Sequence, residues 1–579
     1  MQFSRLAEAF RDIEEATGRG RMTARLAALF RSGTEDAGIL PYLLQGQLGP
    51  PYAAPSLGLD EQGIARAIGA AAGLPSDQVR RLYDQSGDLG LVAEHLLPGP
   101  AQPTTVREVY DQLRQIAAAA GSGAFVEKVA LFQELLRRTG RLAARYLVRI
   151  AQGRLRLGVG DATLLDALSV AVVGSTALRE QIHRAYSQCS DLGLTAETLF
   201  AGGPAALDRL HPTPGRPVLP ALAERLPSPV EIVRRLGRVI AEPKYDGLRL
   251  QAHKDDGRVW LFTRRLEDVT AAFPEIVQAV RQQVLARQAI LDGEAVGYDP
   301  RTGRYLPFQQ TSRRRRKHRV AEMEALYPLR YYAFDLLYLD GQDFTPLPQQ
   351  QRSERLRQIV RAEPNGAIST PLQVETADAK ALEAFVEEML SRGLEGAVVK
   401  RPAAPYHAGA RQFNWVKLKR GYQELLADSF DVVVVGYDYG RGKRAKLGIG
   451  SLLCCVYDPA RDLFRTVSRV GSGLTDEEWL RLREMLDEAR TNQEPSRVDS
   501  RIVPDVWVEP RHVLEVIAGE ITRSPRHTCG MVEGQPGYAL RFPRVAGFRP
   551  DRRPEDATTQ DEVVEMYRLQ SERVTSSLT

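Results

Sequence analysis

Cysteine is scarce here, and its spacing is wrong for a metal module. The four thiols, Cys189, Cys454, Cys455 and Cys529, contain no C-x-x-C pair, which argues against a structural zinc site. This usage fits a reducing, intracellular compartment. Cys454 and Cys455 lie in an apolar run and read as buried strand residues. No stretch of eighteen apolar residues occurs, so no membrane span is expected. The N-terminus, Met1-Gln2-Phe3-Ser4-Arg5, runs into an amphipathic pattern with Glu8 and Asp12 and lacks the apolar core of a signal peptide. A strong charge of one sign is also missing. The 78 basic and 73 acidic residues leave a net charge of +5, too little to imply a nucleic-acid partner without a clustered distribution. No convincing internal repeat is found.

What is present is a chain of 579 residues with 43% hydrophobic and 26% charged residues, a soluble globular composition long enough for three or four domains. The first two hundred residues read as helical. Phe3, Leu6, Phe10 and Ile13 recur at spacings of three and four, and Met22, Leu26, Leu29 and Phe30 repeat the pattern. Leu97-Pro98-Gly99-Pro100 breaks it, and Thr104 or Thr105 can cap the helix that follows. His211-Pro212-Thr213-Pro214-Gly215-Arg216-Pro217 is a connector, because proline cannot continue a helix. Beyond it, short β-type runs at 249–253, 259–263, 289–298, 331–339 and 396–400 alternate with helical segments at 274–287 and 377–392. From about residue 428 strands become denser: 431–436, 451–457, 463–470, 506–517 and 538–542, with a helical tail after 556. The expected organisation is an all-α domain over 1–210, an α+β domain over 211–420, and a small β-barrel of the OB type over 421–579 with a C-terminal helix.

The segment Glu242-Pro243-Lys244-Tyr245-Asp246-Gly247-Leu248-Arg249 is the most informative. Asp-Gly signals a turn, so Lys244 is expected on an exposed loop beside a strand. Taken alone, that is also how a solvated surface lysine looks. The rest of the region supplies what a reactive lysine would need. Asp292-Gly293-Glu294 is expected to end a strand, and Phe334-Asp335 lies in an aromatic-rich strand. Glu395 precedes the strand that ends in Lys400. In Trp415-Val416-Lys417-Leu418-Lys419 the alternation turns both lysines to one face.

In order, these segments resemble the motifs of the covalent nucleotidyltransferase superfamily, and most closely those of ATP-dependent DNA ligases of the archaeal and eukaryotic replicative type. Thr263-Arg264-Arg265-Leu266-Glu267-Asp268 is similar to a further motif. The resemblance continues in Gly153-Arg154-Leu155-Arg156-Leu157-Gly158, in Gly440-Arg441-Gly442-Lys443-Arg444 and in Arg541-Phe542-Pro543-Arg544. It implies an N-terminal DNA-binding domain, an adenylation domain and an OB-fold domain. The implied activity seals nicks in duplex DNA through a lysyl-AMP and an adenylated 5′-phosphate, serving replication, repair, recombination and cell division. The implied setting is a monomer in the cytoplasm at the nucleoid, with no membrane role and with a sliding clamp as a candidate partner.

The chemistry is phosphoryl transfer, governed by positioning and charge stabilisation. An ordinary lysine, with a pKa of about 10.4, is neutral in less than roughly 0.1% of molecules at pH 7. Neighbouring cations such as Lys417, Lys419 and a metal ion favour the neutral amine. By resemblance, Lys244 is the nucleophile and Glu242 accepts a hydrogen bond from the adenine amino group. Phe334 stacks on the adenine ring. Glu294 and Glu395 hold Mg²⁺ or Mn²⁺, and Glu294 also faces the ribose. Arg249, Arg264 and Arg411 hold ribose and phosphate oxygens. Lys417 and Lys419 meet the α-phosphate, with Lys400 a further phosphate contact. Arg549, Asp551 and Arg552 correspond to the motif that orients pyrophosphate. That motif usually ends in lysine, so Arg552 departs from it.

Duplex DNA with a nick is the implied partner, held through phosphates by Arg154, Arg156, Arg441, Lys443 and Arg444. The basic run Arg313-Arg314-Arg315-Arg316-Lys317-His318-Arg319 reads equally as a DNA contact or as a charged insertion. An RNA ligase and an mRNA-capping guanylyltransferase are the nearest alternatives; the long helical N-terminal region and Glu242 favour the DNA ligase. An NAD-dependent ligase would bring a cysteine-rich zinc module. A nucleic-acid-binding module without catalysis would not need Lys244, Glu294, Glu395 and Lys417 together.

Overall fold

The computed structural model describes the chain except residues 17, 98, 100–102, 154, 227, 307, 316–319, 362, 364–365, 420–428, 441–446 and 577–579, and except the side chains of 309, 315, 411, 419, 569 and 571–576. Arg154, Arg441, Lys443 and Arg444 therefore lie outside the described residues, as does most of the basic run, and so do the side chains of Arg411 and Lys419. The chain forms two compact units, Met1–His211 and Pro212–Thr579.

The first unit is helical throughout its described secondary structure apart from an isolated bridge. The apolar spacing explains its core: Phe3, Leu6, Phe10 and Ile13 are buried on the helix Phe3–Glu14, as are Met22, Leu26, Leu29 and Phe30 on Arg19–Ser32. Thr105 caps the helix Val106–Ala118 in a capping box with Glu108. Arg156 does not reach out as a free cation. Its guanidinium meets Asp88 at 3.3 Å and the Gly87 carbonyl at 3.4 Å, and Asp88 also binds the buried Arg149 at 2.6 Å.

The second unit begins with strands that make two sheets among the described residues. In chain order they are β1 (Leu222–Arg225), β2 (Val239–Pro243), β3 (Leu248–Asp255), β4 (Arg258–Thr263), β5 (Gln288–Gly297), β6 (Leu329–Leu339), β7 (Gln342–Asp343), β8 (Ile368–Ser369), β9 (Val374–Thr376), β10 (Gly396–Lys400) and β11 (Arg411–Lys419). One sheet has the order β1-β11-β10-β2-β9; the other runs β4-β3-β5-β6-β7, with β8 beside β6. Leu250, Leu261, Ile276, Val280, Leu291 and Leu336 build the core of the latter, and Val239, Ala241, Phe385, Val399 and Val416 that of the former.

Two expectations are corrected. The helix expected over 274–287 stops at Gln283, because Leu285 donates its backbone N–H to the Ile359 carbonyl and Val284 bridges Val360. Asp292-Gly293-Glu294 lies inside β5 rather than at its end, since β3 and β6 pair with β5 on both sides there.

The C-terminal part is strand-rich, as the OB-type expectation requires. Its sheet includes β12 (Ser429–Asp438), β13 (Ser451–Asp458), β14 (Leu463–Val470) and a long strand, Val506–Ile517. β12 is buried on both faces: Val432 and Val434 enter one core, Val433 and Val435 another. That explains an apolar run without alternation. Cys454 and Cys455 follow the same rule and are buried on opposite faces of β13. The tail forms the helix Gln560–Ser576. Among the described residues no helix is long and apolar enough to cross a membrane.

Candidate active site

Sheet register sets the site. β10 pairs with β2 and β11 so that Glu242, Val398 and Lys417 fall in one row, and Lys400 stands opposite Trp415 in the next. Residues two apart share a face, so Glu242, Lys400, Trp415 and Lys417 all line one cavity. β3, β5 and β6 supply Arg249, Glu294 and Phe334 from the other sheet, with Arg264 just beyond β4. Arg549, Asp551 and Arg552 of the C-terminal segment complete the walls of a cavity of about 150 Å³.

Lys244 follows β2 and is only 20% exposed, not out on a solvated loop as the Asp-Gly turn suggested. Its backbone is bracketed twice: Lys244 N donates to the Gly396 carbonyl at 2.9 Å, and Glu395 N donates to the Lys244 carbonyl at 3.1 Å. Its Nζ forms an ion pair with Glu395. Beneath this loop Tyr245 stacks on Tyr332 with centroids 4.1 Å apart, and Tyr305 meets both edge-on. Asp246 accepts the Phe308 backbone N–H at 3.2 Å, and the Arg549 guanidinium lies 5.0 Å from the Phe308 ring centroid.

The carboxylates crowd. Burial pushes the Glu294 carboxyl up to about 8, with Asp246 and Asp551 adding to the shift and Lys244 and Arg249 opposing it. Burial also raises Asp246, as does Glu395 nearby. Burial lowers Arg264 to about 10 despite its partner Asp556, 3.3 Å away. Among the described residues no three acidic, histidine or cysteine side chains form a ready metal cluster. Even so, the donors that converge here are carboxylate oxygens under mutual repulsion.

Several expected phosphate cations have partners. Arg249 forks onto both carboxylate oxygens of Asp292, at 3.1 and 2.7 Å, and donates to the Ala221 carbonyl at 2.7 Å. Lys417 is 3.7 Å from Glu562. Arg549 is bidentate to Asp551, and Arg552 meets Asp431 at 2.6 Å. Lys400 also has partners: its Nζ is buried at 1% exposure, 2.7 Å from Glu242 and 2.8 Å from the Phe334 carbonyl.

The order of these groups along the chain matches three family descriptions. Residues 2–169 match the DNA ligase N terminus, 220–419 the ATP dependent DNA ligase domain, and 445–552 the ATP dependent DNA ligase C terminal region. The chain is 46% identical to the "Probable DNA ligase" of Dictyoglomus thermophilum, over 98% of each chain. It is 44% identical to the "DNA ligase" of Pyrobaculum calidifontis over 98% of this chain and 99% of the relative, and 42% identical to that of Aeropyrum pernix over 99% of both. The chain belongs to the ATP-dependent DNA ligases. ATP is its substrate, and the family joins DNA at nicks through adenylated intermediates.

Sequence reasoning about this ligase passed over several residues that shape the site. Tyr406 donates to Asp292 at 2.7 Å and accepts the Ala221 N–H. Gln373 donates to Glu242 at 2.6 Å. Arg352 and Asp335 form a fully buried pair beneath Phe334 in sequence, joined by hydrogen bonds of 2.7 and 3.0 Å. Tyr406, Gln373 and Arg352 belong to no motif with a local signature, and only the fold brings them to their partners.

Proposed function

We propose that Lys244 is the nucleophile of this ligase, carrying AMP from ATP to the 5′-phosphate at a nick in duplex DNA. The observation that carries this reading is the placement of Lys244, the Glu294 and Glu395 carboxylates and Lys417 around one cavity. In the first step the Nζ–P bond forms at the α-phosphorus, and the bond to pyrophosphate breaks. AMP then passes to the DNA 5′-phosphate, and attack by the 3′-hydroxyl releases it.

Each wall has a part in this scheme. Glu242 lies deep in the cavity, suited to accept a hydrogen bond from the adenine amino group. Phe334 offers a ring for the base. Lys417 and Arg264 stabilise charge on the phosphates, and Lys419 and Arg411 belong to the same strand. Arg549, Asp551 and Arg552 belong to the ATP step. The ion pair with Glu395 fixes the direction of the amine within the cavity.

Glu294 and Glu395 are the residues that would hold a divalent cation, as hard oxygen donors suit Mg²⁺. Burial raises the Glu294 and Asp246 carboxyls, and a bound cation would favour their ionised forms. Such an ion would neutralise charge on the phosphates. The DNA partner would be held through its phosphates, so affinity for nicked duplex should fall steeply with salt. The deciding experiment is incubation with ATP labelled in the α-phosphate, followed by denaturing electrophoresis. Label should stay with the wild-type chain and be lost in Lys244→Ala; a labelled variant would overturn the assignment.

A further inference from the structure

Glu242 sits in an unusual setting for a carboxylate. It is 2% exposed, yet it contacts the cavity. One oxygen accepts Gln373 Nε2 at 2.6 Å, and the other lies 2.7 Å from Lys400 Nζ. Lys400 is itself buried. It donates to the Phe334 carbonyl, and its ammonium stands 4.9 Å from the Phe334 ring centroid and 4.5 Å from that of Trp415. Lys400 therefore braces two groups at once, the carboxylate and the ring that form the end of the cavity away from Lys244 in β-register.

We infer that Lys400 sets which purine this ligase accepts, by keeping Glu242 ionised as a pure hydrogen-bond acceptor. This rests on the reading that Glu242 meets the base edge. The chemistry follows from donor and acceptor patterns. Adenine offers an amino group there and guanine offers a carbonyl. An ionised carboxylate accepts from the former and repels the latter, whereas a protonated carboxyl can donate to the guanine carbonyl. Burial is the largest effect and leaves the Glu242 carboxyl above its usual range, while Lys400 and Gln373 oppose the rise. Asp335 on β6 also raises it, though that carboxylate is paired with Arg352. Tyr245 is a further titratable group in electrostatic contact with Glu242. Lys400 is the cation paired with Glu242, and so it is a positioning residue for base choice.

The test compares labelled adducts formed from ATP and from GTP by Lys400→Met, Gln373→Leu and Glu242→Gln, across pH 6 to about 9. Wild type should hold a high, pH-independent ATP preference. Lys400→Met should lower that preference by about tenfold or more near pH 7. The preference should recover as pH rises and Glu242 ionises. Gln373→Leu should shift it the same way by less, and provides the same comparison if Lys400→Met does not fold. Glu242→Gln carries a permanent donor and should lose the preference at every pH. Equal loss of ATP and GTP adducts in Lys400→Met, with an unchanged ratio, would overturn the inference while Glu242→Gln still shifted it. An unchanged ratio in Glu242→Gln would instead overturn the reading that Glu242 meets the base.

Discussion

At the scale of single residues, Arg249 shows how a residue expected at the ligand also holds the structure. Its guanidinium spans Asp292 and the Ala221 carbonyl, and it lies 5.5 Å from the Phe334 ring centroid and 5.7 Å from that of Trp415. Lysine cannot reproduce the fork. Arg249→Lys should lose charged hydrogen bonds worth about 1.5–3 kcal/mol each, visible as a lower urea midpoint. It should also loosen Phe334 and raise the KM for ATP. If Arg249 served only the nucleotide, the KM would rise while the urea midpoint stayed put. The residue types at the site were legible in the sequence because Lys-x-Asp-Gly, Asp-Gly-Glu and the alternating Lys417 and Lys419 are contiguous patterns. Their partners were not. Glu242 with Lys400, Asp292 with Tyr406 and Asp246 with the Phe308 N–H are matched across more than sixty residues of chain.

At the scale of elements, the loop from Lys244 to Gly247 is built by close approach. Gly247 is absent from the positive-φ positions, so a left-handed backbone does not explain its glycine. A Cβ there would lie 2.3 Å from the Ala295 carbonyl oxygen and 3.0 Å from its carbon. Backbone of β5 cannot swing aside as a side chain tip would, so Gly247→Ala must displace the loop. Misplacing a nucleophile by about 1 Å costs on the order of 10²-fold in rate. Gly247→Ala should therefore remain folded by circular dichroism while its rate of lysyl-AMP formation drops by about that factor. A wild-type rate would mean that the loop carries no such constraint. Strands were read well where burial alternates or is complete, as over β4, β10 and β14. Boundaries slipped where distant pairing intervened, as at Gln283, and no local pattern announces that β10 sits between β2 and β11.

Across the second unit as a whole, the C-terminal domain is docked on the sheets that carry Lys244. Arg264 meets Asp556 at 3.3 Å, Lys417 meets Glu562 at 3.7 Å, and Arg265 donates to the Pro550 carbonyl at 2.9 Å. This docking brings Arg549, Asp551 and Arg552 to the cavity that Lys244 lines, where the proposed scheme assigns them to the ATP step. Burial alone would raise Asp556, but Arg264, Arg553 and the Arg553 N–H hold it well below the usual carboxylate range. A depressed carboxylate contributes stability that is present above its unfolded value of about 3.9 and lost as pH falls through the folded one. Docking should therefore withstand pH 5 and weaken below about pH 4. The same ion pairs can be removed at neutral pH with Asp556→Asn and Glu562→Gln together, both of which keep a hydrogen-bonding side chain. On the proposed assignment of Arg549, Asp551 and Arg552 to the ATP step, the later steps should not depend on these contacts. The double variant should form lysyl-AMP at least about tenfold more slowly, the effect of some 1.4 kcal/mol. It should seal a pre-adenylated nick within about threefold of wild type, under 0.7 kcal/mol on the same scale. Equal losses in both assays would mean that the contacts hold the fold together rather than assemble the site for ATP.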